Sequence, residues 1–91
     1  MIDQADDISR AVGQDASFER TQAMQKYDAV ERLYWQADAT RNRRDFESKF
    51  KEFEYEYFWM KNHPSDAMRY KGSLFDRRYN ILKRRYDEGV F

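Results

Sequence analysis

Few residues of this 91-residue chain have a type and spacing that would support catalysis. The single histidine, His63, directly precedes Pro64, which is typical of a turn, and no partner for acid–base chemistry adjoins it. The chain has no cysteine, which excludes thiol catalysis, disulfides and thiolate metal sites. Its serines lie outside any Gly-x-Ser-x-Gly motif, and three scattered glycines cannot form a phosphate-binding loop. We therefore expect neither enzymatic activity nor a cofactor or small-molecule substrate.

The acidic residues do not form a recognisable metal-binding motif either. Two groups stand out, namely Asp3, Asp6 and Asp7 near the start and Glu52, Glu54 and Glu56 near the middle. The first group lacks the glycine and the distal glutamate of a calcium loop and is typical of an acidic helix start. The second group does not share one helix face, and the chain has no Glu-x-x-His motif of a di-iron bundle. The sequence predicts no metal site.

Apolar residues recur at helical spacing along the chain. In three stretches the steps alternate between four and three residues, which is the heptad spacing of helices that pack side by side. These heptad stripes are Ala23, Tyr27, Val30, Tyr34, Ala37; Phe46, Phe50, Phe53, Tyr57, Met60; and Met68, Gly72, Phe75, Tyr79, Leu82, Tyr86. The pattern predicts an all-α fold, either a three- to four-helix antiparallel bundle or a helical hairpin, with coiled-coil-like stripes.

We predict one helical domain, and the breaks between its helices follow from residue type and phase. The predicted elements of domain 1–91 are a short helix 2–12 and three longer helices at about 16–43, 45–62 and 65–88. Gly13 predicts the end of the first helix, and Pro64 predicts the start of the last. Near Gly72 and Ser73 we expect a kink, with Ser73 as the cap of a new helix in one interpretation.

The turn between the second and third helices is predicted from the phase of their stripes. Ala37 and Phe46 are nine residues apart, so one straight helix would place them on opposite faces. We place Arg41, Arg43 and Arg44 at the end of the second helix, where their charge suits the helix dipole, and Asp45 as the next N-cap. A continuous helix over 16–62 is the alternative, because no Gly or Pro interrupts it. The alternation of polar and aromatic residues over 52–57 also fits a strand, although its flanks favour helix.

Composition limits the classes of partner. The chain carries 17 basic and 17 acidic residues, a balance that argues against a nucleic-acid binder driven by bulk charge. No apolar run is long enough to span a membrane, and the acidic start is unlike a secretion signal. We therefore expect a location inside the cell or within a virion or complex. The 16 aromatic residues outnumber the nine Leu, Ile and Val residues. A domain of this size hides only about 60–65% of its unfolded surface, which favours stabilisation by a partner.

Several large apolar residues fall outside the heptad stripes, and we predict that they form protein interfaces. They are Trp35, Tyr55, Phe58, Trp59, Leu74 and Ile81. Tyr55, Phe58 and Trp59, added to the heptad stripe of the third helix, make the C-terminal half of that helix apolar nearly all round. Such a helix is typically covered on every side. The alternative is that the first helix or the tail, Val90 and Phe91, covers them.

Basic residues form a second surface feature. They are Arg41, Arg43 and Arg44 in one cluster and Lys71, Arg77, Arg78, Lys83, Arg84 and Arg85 in the other. They could contact nucleic acid or an acidic partner. Lys71, Arg78 and Arg85 recur every seven residues, so they could instead pair across the bundle with acids of the third helix. The acids available there are Glu47, Glu54 and Glu56.

These features favour an interaction or assembly subunit that packs helices against other protein subunits, self or foreign, through aromatic anchors. A neutral, cysteine-free, aromatic-rich chain of this size suits a minor subunit of a larger particle, for example a phage or viral structural or accessory protein. A nucleic-acid-associated protein that uses the basic residues of Arg77–Arg85 is the first alternative. A small inhibitor that docks on a host enzyme is the second.

Overall fold

The protein is an all-α structure. The computed structural model describes the backbone of residues 2–89 and the side chains of residues 17–89. That part of the chain contains four helices and no strand: α1 (Ile2–Ala39), α2 (Arg43–Lys61), α3 (Asp66–Ser73) and α4 (Asp76–Glu88). The all-α prediction is confirmed, and residues 52–57 are helical rather than a strand.

Contacts between the helices show a bundle of three helical segments: α1, α2, and α3 followed by α4. Lys26 of α1 pairs with Glu56 of α2, and Tyr34 lies 5.9 Å from Phe53 between ring centroids, so α1 and α2 run antiparallel. The pairs Glu31–Arg78 and Asp38–Arg85 advance together along both helices, so α4 runs parallel to α1. α3 and α4 thus act as one broken helix that closes the hairpin of α1 and α2.

The heptad stripes form the core, as their spacing predicts. Every member of the α2 stripe is buried, and the remaining buried core residues are Ala23, Val30, Tyr34, Ala37, Met68, Phe75 and Leu82. Tyr27, Tyr79 and Tyr86 pack against this core while partly exposed. Stacked rings fill the space that aliphatic side chains usually occupy, for example Tyr57 on Tyr79 at 4.7 Å and Phe50 on Tyr86 at 4.9 Å.

The turn between α1 and α2 exists, but its predicted position is wrong. α1 ends at Ala39, and the Asn42 side chain caps α2 by accepting from the backbone N–H groups of Arg44 (2.9 Å) and Asp45 (3.2 Å). Arg43 and Arg44 therefore begin α2 instead of ending α1, and Asp45 lies in the first turn instead of capping it. A side-chain cap stabilises a helix by about 1 kcal/mol, which offsets the cost of a basic residue near a helix start.

Two other predicted boundaries are also wrong. The short helix 2–12 does not end at Gly13, because α1 continues through it. A single glycine inside a helix costs only about 1 kcal/mol relative to alanine, too little to break a long helix by itself. The predicted helix 65–88 is interrupted at Leu74 and Phe75, which confirms the expected kink, but Ser73 does not cap α4. Its hydroxyl donates to the Tyr70 carbonyl instead, at 2.6 Å.

Gly72 allows α3 to approach α2 closely, and we expect Gly72→Ala to destabilise the bundle by about 1–3 kcal/mol through overpacking. A Cβ atom at this position would lie 2.8 Å from the Met60 Cβ and 3.3 Å from the Lys61 backbone nitrogen. Neither atom belongs to the free end of a flexible side chain, so the helices would have to move apart. Urea unfolding of the two proteins measures the difference. Ser48→Ala, on the exposed face of α2, is the control. Unchanged stability of the Gly72 variant would contradict the close approach.

A polar network fastens α4 to α2, and we expect it to make stability fall in acid. The Tyr57 hydroxyl donates to Asp76, whose Oδ1 also lies 3.0 Å from the Lys61 Nζ. These two donors hold the pKa of the Asp76 carboxyl below its ordinary value, against partial desolvation. The ionised form is favoured in the folded state, so its contribution is present above the unfolded pKa and is lost as pH falls through the folded one.

The measurement for this network is the free energy of unfolding across the acid range for the wild type and Asp76→Asn. We expect the variant to be less stable near neutral pH and to show a shallower loss of stability toward acid. Parallel curves for the two proteins would contradict a linkage through Asp76. Asp45→Asn, at an exposed position in the first turn of α2, controls for the removal of one carboxyl group.

Candidate protein-interaction surfaces

All six residues predicted as interface anchors are exposed, with exposed fractions between 41% for Trp59 and 68% for Tyr55. Phe18, Met24 and Tyr70, which are not among the predicted anchors, are exposed as well. Phe18 and Met24 also lie outside the α1 stripe, so the argument that found Trp35 applies to them. The tail Val90 and Phe91, the alternative cover, and the side chains of Asp3, Asp6 and Asp7 lie outside the described residues.

Three of these residues form one continuous surface on α2, which we call the α2 aromatic surface: Tyr55, Phe58 and Trp59. Tyr55 lies midway between the buried Phe53 and Tyr57, about 200° of helical rotation from each, and therefore faces directly away from the core. Phe58 and Trp59 lie on either side of that direction. The surface borders an open cleft of about 340 Å³ that is also lined by Asn62, His63 and Pro64.

Neighbouring groups hold the rings of the α2 aromatic surface in place. The Phe58 ring centroid lies 5.4 Å from that of Tyr79 on α4. Trp59 lies 4.8 Å from the His63 ring, and the Lys26 ammonium group lies 4.6 Å from the centre of the indole. Rings that are already positioned lose little conformational entropy when a partner binds. The surface is therefore preorganised for contact.

Hydrogen bonds order the loop at the end of the cleft. The Asn62 side chain donates to the Phe58 carbonyl at 2.8 Å, and His63 Nδ1 accepts from the Ser65 backbone N–H at 3.0 Å. Arg69 donates to the carbonyls of His63 and Pro64, both at 2.8 Å. His63 is thus a turn residue, as its place before Pro64 predicts, and the loop forms a fixed wall of the cleft.

The basic residues at heptad spacing attach α3 and α4 to α1. Lys71 Nζ lies 5.3 Å from the centre of the Tyr27 ring. Arg78 donates to Glu31 at 2.9 Å and lies over the Tyr34 ring, and Arg85 donates to the Asp38 and Thr40 carbonyls at 3.1 and 3.2 Å. The predicted pairing across the bundle is therefore right in kind, but α1 supplies the acids.

The acids predicted for that pairing have other partners, so this part of the prediction is wrong. Glu47 pairs with Arg43 at 3.2 Å, and Glu56 pairs with Lys26. Glu54 accepts from the Tyr79 hydroxyl at 2.7 Å, and burial together with this hydrogen bond raises the pKa of Tyr79 to about 12. All three acids lie on α2, whereas the row of Lys71, Arg78 and Arg85 faces α1.

The outer basic residues remain on the surface. Arg77 and Arg84 are exposed on the outside of α4 and make no ion pair within residues 17–89. They border a shallow cavity of about 310 Å³ with Ile81 between them. Arg41, which donates to the Asp38 carbonyl at 3.1 Å, and Arg44 are exposed at the α1–α2 turn. Arg85 brings this turn next to the end of α4, so the two basic clusters meet at one end of the bundle.

Three exposed apolar residues lie near Arg78, where α4 packs against α1: Trp35, Leu74 and Ile81. The Arg78 guanidinium lies 5.5 Å from the centre of the Trp35 ring. Leu74 and Ile81 are exposed four residues before and three residues after Arg78, so they flank it along one side of the helix. These apolar side chains therefore lie near an arginine that is already paired with Glu31.

No group of three metal-ligating side chains comes together within the described residues. None of the helices there is both long and apolar enough to cross a bilayer. Comparison with protein-family models, with curated proteins and with solved structures found no match to this chain.

Proposed function

We propose that this chain is a non-catalytic assembly subunit that docks on another protein subunit through the α2 aromatic surface. The observation that carries this proposal is the position of Tyr55, Phe58 and Trp59 together on the side of α2 that faces away from the core. A continuous exposed apolar surface rimmed by polar residues is typical of a protein–protein contact.

The chemistry of the surface supports strong binding from few residues. Trp and Tyr are the types most enriched among residues that dominate binding energy, and truncating one of them often costs 2 kcal/mol or more. Trp59 and Phe58 are 41% and 45% exposed, so a partner can bury the exposed part of each side chain while the rest packs against the bundle. The cleft beside them, with its ordered loop of Asn62, His63 and Pro64, offers a recess for a partner side chain.

Binding to nucleic acid has weaker support. Lys71, Arg78 and Arg85 are engaged with α1, which leaves Arg77 and Arg84 as the outward pair on α4. Each phosphate contact contributes about −0.9 to the slope of log affinity against log salt, so this pair together with Arg41 and Arg44 of the neighbouring turn gives a slope of only about −4. Proteins that bind DNA strongly commonly make about six to ten such contacts.

The test is affinity capture from an extract of the source organism with three immobilised proteins. These are the wild type, the double variant Phe58→Ser/Trp59→Ser and the control Tyr70→Ser, whose aromatic side chain is 64% exposed and lies on α3. We expect one defined protein on the wild type and the control, and its loss from the double variant. That protein, purified, should bind the wild type directly.

Two results would overturn the proposal. The first is a partner retained equally by all three proteins. The second is a bound species that nuclease removes and that Arg77→Glu/Arg84→Glu no longer captures, since that result assigns the interaction to nucleic acid.

A further inference from the structure

Helix α4 presents one exposed apolar residue that is framed by arginines. Ile81 is 43% exposed. The helix neighbours that lie three and four residues from it in both directions are all arginines: Arg77, Arg78, Arg84 and Arg85. Ile81 therefore lies between two Arg-Arg pairs.

Helix α1 neutralises one arginine of each pair. Arg78 pairs with Glu31 at 2.9 Å, and Arg85 pairs with Asp38 at 3.3 Å. These two arginines attach α4 to the bundle, so they add no net charge to the surface around Ile81.

The other arginine of each pair is not neutralised within the described side chains. Arg77 and Arg84 are exposed, and neither forms an ion pair or a hydrogen bond within residues 17–89. Two of the three acids of α4, Asp76 and Asp87, already pair with lysines. The third, Glu88, is exposed near the end of the helix. The outer side of α4 therefore carries an excess of positive charge around Ile81.

The spacing on this side of α4 fits a neighbouring helix. Its exposed residues follow one another at steps of four, three and four residues, which is the spacing of helices that pack side by side. We call them the α4 outer face: Arg77, Ile81, Arg84 and Glu88. The two arginines are about 10.5 Å apart along the axis, as are residues seven apart on any α-helix. The cavity of about 310 Å³ beside Ile81 gives room for an apolar side chain of the neighbour.

We infer that the α4 outer face is a second docking surface and that its occupant is an acidic amphipathic helix of a partner protein. Carboxylates seven residues apart on that helix pair with Arg77 and Arg84, and an apolar residue between them packs on Ile81. The α4 outer face shares no residue with the α2 aromatic surface, so the inference is independent of the proposed function.

Charge complementarity selects this occupant over two others. A second copy of α4 packed on the same face would bring four arginines together without a matching set of acids, which is unfavourable. A nucleic-acid backbone would be repelled by Glu88, whereas a partner helix can place a basic residue opposite that carboxylate. Nucleic acid also leaves the exposed part of Ile81 without an apolar partner.

The test is the fluorescence anisotropy of a labelled peptide titrated with the full chain. The acidic probe is a synthetic amphipathic helix of about 20 residues, long enough to be helical in water, with Leu and Glu at heptad spacing. The basic probe has Lys in place of each Glu. We expect the wild type to bind only the acidic probe. Arg77→Glu/Arg84→Glu should bind it at least about tenfold more weakly and should bind the basic probe instead, and Ile81→Ser should lose about tenfold.

Two control variants show that binding is local to α4. Arg20→Glu/Lys51→Glu, at exposed positions on α1 and α2, makes the same change in net charge and should bind the acidic probe like the wild type. Phe58→Ser/Trp59→Ser should do so as well, because it changes only the α2 aromatic surface.

Circular dichroism verifies that each variant is helical before its binding is interpreted. The inference is overturned if the wild type does not bind the acidic probe, if it binds both probes equally, or if the reversal of Arg77 and Arg84 leaves binding unchanged. Binding that is lost only in Phe58→Ser/Trp59→Ser would also overturn it, and would assign the probe to the α2 aromatic surface. Tighter binding of a single-stranded oligonucleotide with the same net charge as the acidic probe would assign the two arginines to nucleic acid instead.

Discussion

The Phe75→Ala variant should be about 3–5 kcal/mol less stable than the wild type, which is much of the stability of a domain of this size. Phe75 is fully buried at the junction of α3 and α4. Its ring stacks on Tyr27 of α1 at 4.7 Å and meets the edge of Phe53 of α2 at 5.7 Å. Removing it leaves a cavity where α1, α2 and the start of α4 come together. The helices cannot all move inward to fill that space.

Thermal and urea unfolding measure this effect. We expect the melting temperature of Phe75→Ala to fall by roughly 12–40 °C, given the usual 4–8 °C per kcal/mol for a domain of this length. The control is Tyr70→Ala, which removes an aromatic ring of similar size from an exposed position on α3. The control should stay close to the wild type. A Phe75 variant as stable as the control would show that the aromatic core does not hold α1, α2 and the α3–α4 segment together.

The double variant Phe58→Ser/Trp59→Ser should lose roughly 1,000-fold in affinity for the protein captured by the wild type, since two anchors at about 2 kcal/mol each are removed. The fold should survive, because both side chains lie outside the buried core. Within the molecule, Phe58 loses its ring contacts with Tyr57 and Tyr79, and Trp59 loses its contacts with His63 and Lys26.

Titration calorimetry with the purified partner measures the loss, and circular dichroism verifies the fold. The single variants indicate which ring contributes more, and Tyr70→Ser should bind like the wild type. An affinity of the double variant within threefold of the wild type would remove Phe58 and Trp59 as anchors. Tyr55→Ser then becomes the informative variant, because Tyr55 is the most exposed member of the surface.

The core could be predicted from the sequence because helical phase alone determines it. Phe46, Phe50, Phe53, Tyr57 and Met60 share one face at any boundary that keeps the helix intact, and all five are buried. The same phase argument placed Trp35, Tyr55 and Trp59 outside the core, where they lie exposed. The core stripe is buried because removing apolar surface from water lowers the free energy, by about 25 cal/mol for each Å².

Helix ends could not be predicted as well, because they depend on small competing energies. The cap formed by Asn42, the dipole cost of Arg43 and Arg44 and the helix cost of Gly13 are each about 1 kcal/mol or less. The acid partners of the α4 arginines were missed for a different reason. The heptad pattern shows that Arg78 and Arg85 flank a packed face, but only the topology shows that α1, with Glu31 and Asp38, lies on that side.

Hydroxyl-radical footprinting of the chain, free and in complex with its captured protein, tests the central claim most directly, because it maps contact without any substitution. We predict that labelling of Tyr55, Phe58 and Trp59 falls sharply in the complex, while that of Tyr70 is unchanged, since all four side chains are exposed in the free chain. Protection of α4 around Ile81 with full labelling of the α2 aromatic surface would contradict the claim.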